Sequence, residues 1–231
     1  MLPISTIIQR NVAGKGLQYL LVFCTQWILV RLLQADHSGF FFNDLYRVLF
    51  ICFLLSAGLD YSAIAWITGK GADTRRIIVH LFWVVLVGSL VLWLIIWVGF
   101  PFVHIQLHTS RLVLLTFGVG NLFQLLFLGA LTAHQRFQSI NRVLNSTNAL
   151  FLLGLVVIIY TAGKPNVGYV LFAYGGLCLL QGIILLFVSM QHATETNEQP
   201  IDWFVFYRYG MGIMAGALVF FCFIRIDHFF V

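Results

Sequence analysis

Seven apolar runs, each about as long as a bilayer is thick, constrain this chain more than any other feature of its sequence. They occupy residues 12–33, 41–67, 77–99, 112–133, 146–162, 167–189 and 209–231. A helix needs about 20 mostly apolar residues to cross the hydrocarbon core of a membrane. Only 9% of the 231 residues are charged, and 61% are hydrophobic, whereas about 25% of a soluble domain is charged. The sequence therefore predicts an all-α, polytopic membrane helical bundle.

The connections between these runs predict two unequal parts. All are short except residues 190–208, which carry Glu195 and Glu198 and have an acidic character. We expect a six-helix transmembrane lobe over 1–189, an inter-lobe loop over 190–208, and the first helix of a second lobe over 209–231. Because the last run ends where the chain ends, we expect a fragment, a truncated product, or a subunit that needs a complementary half.

Basic residues predict the orientation of the bundle. Segments on the side of the amino terminus hold Arg10, Lys70, Arg75, Arg76, Arg136, Arg142 and Arg208, and segments on the other side hold Arg31, Arg111 and Lys164. Basic residues concentrate in short cytoplasmic loops. The pattern predicts a multi-pass protein of the plasma (inner) membrane with a cytoplasmic amino terminus. The net charge of +5 is spread over these loops, which argues against nucleic-acid binding.

Ionisable residues inside the second run are candidate functional groups. Asp44 and Arg47 are three residues apart, so they share a helix face and can neutralise each other. Asp60 is harder to explain in this way, because it lies roughly 12 Å from the nearer end of its run. Lys15, near the start of the first run, can extend its ammonium group to the membrane surface. Embedded charges of this kind usually face protein or a wet cavity.

The last run holds three more ionisable residues, Arg225, Asp227 and His228. Arg225 and His228 share a helix face, whereas Asp227 points to nearly the opposite side, because two residues turn a helix by about 200°. The Arg225 and Asp227 side chains therefore cannot pair with each other. We expect each to border a protein interior or a hydrated cavity.

Other polar patterns do not predict a chemical site. His104 and His108 have the spacing of two metal ligands on a helix but lack a third ligand. The four cysteines lie in apolar runs without a CxxC pair, which is typical of packing residues. No Ser/His/Asp or Cys/His set is recognisable. The sequence thus predicts neither an enzyme, nor a metal site, nor a cofactor.

Four stretches of this chain resemble the polysaccharide and O-antigen flippases of the multidrug/oligosaccharidyl-lipid/polysaccharide exporter superfamily. The segment RLLQADHSGF at 31–40 is similar to the family's loop after the first span. The segment GLD at 58–60, with Arg75 and Arg76 beyond it, is similar to the family's next recurring stretch. GALTAHQRF at 129–137 resembles the exit of span four, and RID at 225–227 resembles the start of the second lobe.

This resemblance implies a membrane transporter with two pseudo-symmetric bundles around a central, often cationic cavity. A polyprenyl-pyrophosphate-linked oligosaccharide would cross the membrane by alternating access. Arg225, Arg47 and Lys15 would contact the pyrophosphate, and Asp60 and Asp227 would balance those cations or carry a coupling cation. The implied partners are the lipid-linked oligosaccharide, membrane lipid and a missing carboxy-terminal half.

Other functions stay open at this stage. A cation-coupled multidrug exporter of the same superfamily would favour acidic cavity residues, but the candidates comprise three basic and three acidic side chains. A membrane enzyme that polymerises or ligates lipid-linked glycans would need a large outer loop, and 190–208 is predicted to be internal. A non-catalytic membrane assembly partner is a further alternative. Cargo sugar, coupling ion and oligomeric state are not encoded in any pattern that we recognise.

Overall fold

The computed structural model describes residues 4–69, 72–162, 166–193 and 201–225, and they form eight α-helices and one π-helical segment. The α-helices are α1 (Ile4–Ser56), α2 (Leu59–Gly69), α3 (Thr74–Leu94), α4 (Phe100–Phe102), α5 (Arg111–Ala133), α6 (Phe137–Ala162), α7 (Val167–Gln191) and α8 (Trp203–Arg225). The π-helical segment Ile95–Gly99 joins α3 to α4. The predicted all-α class is confirmed.

Six stretches within these helices are long and apolar enough to cross a membrane. They are Asn11–Leu33, His37–Ser56, Thr74–Phe102, Arg111–Ala133, Phe137–Thr161 and Val167–Gln191. They match the first six predicted spans, and the chain is a multi-span helical membrane protein. In α8, the apolar stretch Trp203–Val219 is shorter. The predicted seventh span, 209–231, ends outside the described residues.

The first half of α1 runs parallel to α6. Near the start of both helices, the Asn145 side-chain amide donates to the Gly14 carbonyl at 3.0 Å. Farther along both, Leu29 of α1 packs in one apolar cluster with Leu155 of α6 and Val170 of α7. Because the contacts follow the same order along both helices, residues 11–33 run in the same direction as α6.

The second half of α1 runs parallel to α5, in the opposite direction to the first half. Asp44 accepts a hydrogen bond from the Thr109 backbone just before α5, and Cys52 Sγ lies 3.3 Å from the Gly118 carbonyl oxygen within it. Helices α5 and α6 are themselves antiparallel. A straight helix of 53 residues would span roughly 80 Å, far more than a bilayer core of about 30 Å.

The chain therefore reverses its direction between Leu33 and Phe41. We expected a loop over residues 34–40, and the chain does reverse there. The backbone nevertheless stays helical up to the reversal and continues as helix directly after it. Two membrane spans thus meet end to end. Their close pairing is why residues from both halves of α1 line a single cavity.

A two-residue break separates α1 from α2. Ala57 and Gly58 have φ values of 49° and 66°, a left-handed conformation that is costly for alanine and readily adopted by glycine. The prediction of one continuous span over 41–67 is therefore wrong, because the break divides these residues between the end of α1 and the short helix α2. The break places Asp60 in the first turn of α2, where the helix dipole favours a carboxylate.

These directions define two ends of the bundle. We call one the basic end, where α3 begins, α5 ends and α8 begins, near Arg75, Arg76, Arg136 and Arg208. We call the other the Asp44 end, where Asp44 meets the segment before α5. This grouping agrees with the predicted alternation of connections. The cytoplasmic position of the basic end stays a prediction.

Helix α5 lies at the centre of the bundle and packs against α1, α2, α3 and α7. Its closest approach is to α7, because a Cβ atom at Gly120 would overlap the backbone of Cys178 and Leu179. The parallel α5–α7 pair is therefore held at a separation that only glycine permits at this level. This pair forms one wall of the cavity described below.

Helix α8 attaches to the bundle at the basic end through α2 and α3. The Ser62 hydroxyl donates to the Phe206 carbonyl at 2.8 Å, and His80 Nε2 lies 2.7 Å from the Tyr207 hydroxyl. At the α1–α2 break, a Cβ atom on Gly58 would overlap the Gly210 carbonyl. The first two turns of α8 are thus closely packed against α2, α3 and the break between α1 and α2.

Candidate functional site

A cavity of about 190 Å³ lies between both halves of α1 and helices α5, α6 and α7. We call it the amide cavity. Its polar lining consists of Gln18, Thr25, Asn121, Gln124, Asn148 and Gln181. Its apolar lining consists of Val22, Leu49, Phe117, Leu144, Tyr174, Leu177 and Cys178. At about 30 Å³ per water molecule, this volume holds roughly six waters.

The amide cavity lies near the middle of the membrane-spanning part of the bundle. Gln124 is 13 residues after Arg111 and nine before Ala133, the bounds of α5. At 1.5 Å per residue, these separations are roughly 20 Å and 14 Å. Gln181 occupies a similar position in α7. Polar side chains at such depth are costly in lipid, so they typically face protein or a wet cavity.

A directed chain of hydrogen bonds organises the cavity wall, and a backbone carbonyl fixes its direction. Gln124 Nε2 lies 3.1 Å from the Cys178 carbonyl oxygen, which can only accept, so the amide nitrogen of Gln124 must face it. The same nitrogen donates to Gln181 Oε1 at 3.0 Å. The orientation of Gln124 therefore determines that of Gln181.

The chain of hydrogen bonds continues from α7 to α6. Gln181 is only 4% exposed, and its Nε2 donates to Thr147 Oγ1 at 2.8 Å and to Asn148 Oδ1 at 3.2 Å. The Thr147 hydroxyl in turn donates to the Val143 carbonyl at 2.8 Å. Both protons of the Gln181 amide are therefore engaged, and Asn148 must turn its own Nδ2 away from Gln181.

Thr25 contributes a buried hydroxyl without a hydrogen-bond partner to the described part of the cavity lining. It is 2% exposed, and its Oγ1 is a buried atom without a hydrogen bond. A buried polar atom without a partner costs about 1–3 kcal/mol relative to one that is satisfied. Because this atom borders the amide cavity, a bound molecule or water can supply the missing bond.

Aromatic rings line the cavity two turns before these amides, because Phe117 and Gln124 share one face of α5, and Tyr174 and Gln181 share one face of α7. The rings of Phe117 and Tyr174 are stacked with centroids 5.9 Å apart, and Phe151 and Phe41 contact the same tyrosine from two other helices. Flat apolar faces beside amide donors and acceptors suit a ligand that has both apolar and hydroxyl surfaces.

None of the described residues that line the amide cavity carries a formal charge. The polar groups of its lining include both hydrogen-bond donors and acceptors, since amides and hydroxyls can donate and accept. A fixed cation would leave the donors unpaired, and a fixed anion would leave the acceptors unpaired. A neutral, hydroxyl-rich group satisfies both sets.

The predicted binding residue Lys15 lies one turn from the cavity. Its side chain is exposed, and its Nζ donates to Gln18 Oε1 at 3.2 Å. Gln18 belongs to the cavity lining, so Lys15 is the predicted cation that the structure brings closest to the amide cavity among the described side chains. Its position towards the basic end agrees with a surface-reaching lysine.

The predicted binding residue Arg47 lies at the Asp44 end and is not among the described residues that line the amide cavity. Its guanidinium is 3.4 Å from Asp44 Oδ1 and donates to the Gln106 carbonyl at 3.4 Å. Its side chain is 39% exposed. The expected neutralisation of Arg47 by Asp44 is present, so any anion that binds there meets a cation that is already paired.

Asp44 acts as an anchor for the segment before α5. Its carboxylate is 1% exposed and accepts backbone hydrogen bonds from His108 at 2.8 Å and Thr109 at 2.9 Å. Three donors thus surround one buried charge, which is the arrangement that makes burial of a carboxylate tolerable. The His108 ring also contacts the Phe40 ring, tilted by 42°, with centroids 4.2 Å apart.

The remaining predicted site residues are distributed elsewhere. Asp60 is half-buried, and a Cβ atom at Gly129 of α5 would collide with its backbone, so the two helices touch there. Asp60 does not line the amide cavity. Arg225 is the last residue of α8, but its side chain, like the whole of Asp227, lies outside the described part of the structure.

The connection after α5 holds a histidine in an unusual environment. His134 follows the last residue of α5 at the basic end, and its Nε2 is buried without a hydrogen bond. Burial lowers the pKa of His134, and the nearby His192 and Arg136 lower it further. The imidazole is therefore held neutral at pH values where a free histidine begins to take up a proton.

Sequence reasoning missed most of the amide cavity. It weighted ionisable residues, and therefore passed over Gln124, Gln181 and Asn148. A signal was present, because 141, 145 and 148 are asparagines at i, i+4 and i+7, which share a helix face. Among the described residues, no group of His, Cys, Asp and Glu could hold a metal ion.

No protein-family model, curated protein or solved structure matches this chain. The description of the fold and the cavity therefore comes from this chain alone. The chain is a multi-span helical membrane protein with a cavity at mid-depth whose described lining is polar and uncharged.

Proposed function

We propose that this chain is the amino-terminal lobe of a membrane transporter that moves a polyprenyl-pyrophosphate-linked oligosaccharide across the plasma membrane by alternating access. The observation that carries the proposal is the amide cavity, a mid-depth pocket with uncharged donors and acceptors beside stacked aromatic rings. Substrate sites of secondary transporters lie near the bilayer midplane between helices. The sugar part of such a cargo offers the hydroxyl groups that this cavity can pair.

The resemblance of four stretches to polysaccharide flippases supports the same cargo. Under this proposal Lys15, one turn from the cavity lining, contacts the pyrophosphate as a charge-assisted donor. Arg225 and Arg47 are the other proposed anion contacts, and Asp60 and Asp227 balance them. The partners are the lipid-linked oligosaccharide, membrane lipid and a second lobe that completes the cavity wall.

A cation-coupled multidrug exporter is the second candidate. Cationic drugs require acidic cavity groups, and the lining of the amide cavity includes no carboxylate in the part of the chain that the structure describes. The half-buried Asp60 is the one described feature that favours this candidate. A non-catalytic assembly partner would leave the cavity without a role, so substitutions in the cavity separate it from both transporters.

The substitution Thr25→Val tests whether the amide cavity takes part in transport. Valine has nearly the same shape and removes an oxygen that has no hydrogen-bond partner in the protein, so we expect the variant to fold and insert like the natural chain. Loss of one hydrogen bond to the cargo, about 1 kcal/mol, should lower surface-polysaccharide export about fivefold. Export is measured in cells that depend on this gene, and melting in detergent.

Thr161→Val is the matched control, because Thr161 is exposed and its hydroxyl donates within its own helix, to the carbonyls of Val157 and Ile158. We expect this variant to leave export unchanged. If Thr25→Val and Asn148→Leu both export at the normal rate, the cavity does not carry the cargo and the proposal fails.

A second test addresses the proposed anion contacts. In the complete gene product, Arg225→Ala or Arg47→Ala should abolish surface-polysaccharide export while membrane insertion is retained. Because Arg47 also pairs with Asp44, Arg47→Lys should restore both the charge and part of the export. Arg111→Ala, an exposed cation at the same end, is the control. Full export by both alanine variants would contradict the assignment of these residues.

A further inference from the structure

A continuous row of polar side chains lies between the first half of α1 and α6. We call it the α1–α6 seam, with Asn11, Gly14 and Gln18 on α1 and Asn141, Asn145 and Asn148 on α6. Positions 11, 14 and 18 share one face of α1, and 141, 145 and 148 share one face of α6. Gly14 meets both Asn141 and Asn145, so the two faces are in contact. The seam starts near the basic end and reaches the amide cavity at Gln18 and Asn148.

Three side-chain oxygens in the seam are buried without a hydrogen-bond partner. They are the Oδ1 atoms of Asn11, Asn141 and Asn145. The amide of Asn145 cannot correct this by turning over, because its Nδ2 donates to the Gly14 carbonyl, which only accepts. Asn141 is 7% exposed. Farther along α1, the Thr25 hydroxyl at the cavity is a fourth buried atom without a partner.

Buried acceptors need donors, and the described side chains around the seam provide none for these atoms. Apolar cavities stay dry, whereas polar ones with several open acceptors hold ordered water. We infer that the α1–α6 seam is a hydrated path that admits water from the basic end of the bundle to the amide cavity. This inference concerns access to the cavity and does not depend on the identity of the cargo.

The path has a narrow point at Gly14. An added Cβ atom there would lie 2.5 Å from Asn141 Nδ2, so alanine would force the Asn141 side chain to move into the seam. Gly16, two residues away, has open space where a Cβ atom would be placed. The pair Gly14→Ala and Gly16→Ala therefore separates closure of the seam from a general effect of alanine on this helix.

The experiment uses the full chain in native membranes, with its four native cysteines replaced by alanine. Single cysteines are introduced by Asn145→Cys and Asn148→Cys in the seam, and by Leu150→Cys, an exposed position on α6 near the depth of Asn148. A small, charged methanethiosulfonate reagent is applied from the basic end. A thiol whose pKa rises by about two units in dry surroundings forms about a hundredfold less reactive thiolate. We expect both seam cysteines to react at least about tenfold faster than Leu150→Cys.

Closure of the path is the decisive part of the test. Gly14→Ala should slow the labelling of Asn148→Cys to the rate of Leu150→Cys, and Gly16→Ala should leave it unchanged. Asn145→Leu is a second way to close the seam if Gly14→Ala does not insert. If the seam cysteines react no faster than Leu150→Cys, the seam is dry. If Asn148→Cys reacts fast and neither Gly14→Ala nor Asn145→Leu slows it, water enters elsewhere. Either result overturns the inference.

Discussion

Gly120→Ala is expected to lower the stability of the bundle by about 3 kcal/mol, the upper part of the range for overpacking. The new Cβ atom would overlap the backbone of Cys178 and Leu179 on α7, and a backbone cannot yield by changing a rotamer. Helices α5 and α7 would have to separate at the level of the amide cavity. Thermal melting in detergent measures the loss.

Gly176→Ala provides the comparison, because a Cβ atom at this position of α7 has open space around it. Alanine is also the better helix former, so we expect this variant to melt at the same temperature as the natural chain or slightly above it. If Gly120→Ala melts like Gly176→Ala, the close approach of α5 and α7 is not present in the membrane.

Asp44→Ala is the second substitution with a large expected effect, also about 3 kcal/mol of destabilisation. It removes the acceptor of two backbone hydrogen bonds, from His108 and Thr109, and hydrogen bonds to a charged group contribute about 1.5–3 kcal/mol each. It also leaves Arg47 without its carboxylate partner. Melting of the purified protein tests this expectation.

Asp73→Ala is the control, because the Asp73 carboxylate accepts the same number of backbone hydrogen bonds as Asp44 but is less buried. Asp73 caps α3 by accepting from the backbones of Arg75 and Arg76, and its side chain is 18% exposed. Loss of such a cap costs about 1 kcal/mol. Equal destabilisation by Asp44→Ala and Asp73→Ala would mean that burial of Asp44 adds nothing to its contribution.

The length of the apolar runs was sufficient to predict the first six spans, because a lipid core sets a minimum helix length that composition alone reveals. Because hydropathy was averaged over a long run, it did not reveal the helix break at Ala57 and Gly58. A glycine followed two residues later by Asp60 is a recognisable signal for a helix end and a new helix start. In a run of otherwise apolar residues, that local signal was outweighed by hydropathy.

The candidate site was only partly predictable, and the reason is physical. The Asp44–Arg47 pair is local, since three residues along one helix fix its geometry. The bond from Gln124 to Gln181 joins residues 57 positions apart on two helices. Whether an amide faces lipid, protein or a cavity depends on how the helices pack, which no single span encodes. Gly120 and Cys178 set that packing, and their contact became visible only in the folded bundle.

The Gln124–Gln181 chain has a consequence for how the lobe can change shape. If Gln181 alone turned its amide over, two nitrogens would face each other at Gln124, and an oxygen would face Asn148 Oδ1. The Cys178 carbonyl at one terminus cannot invert its role. A change of orientation at one of these side chains therefore breaks hydrogen bonds to its neighbours, so a molecule that enters the pocket meets polar groups coupled across three helices rather than several independent contacts.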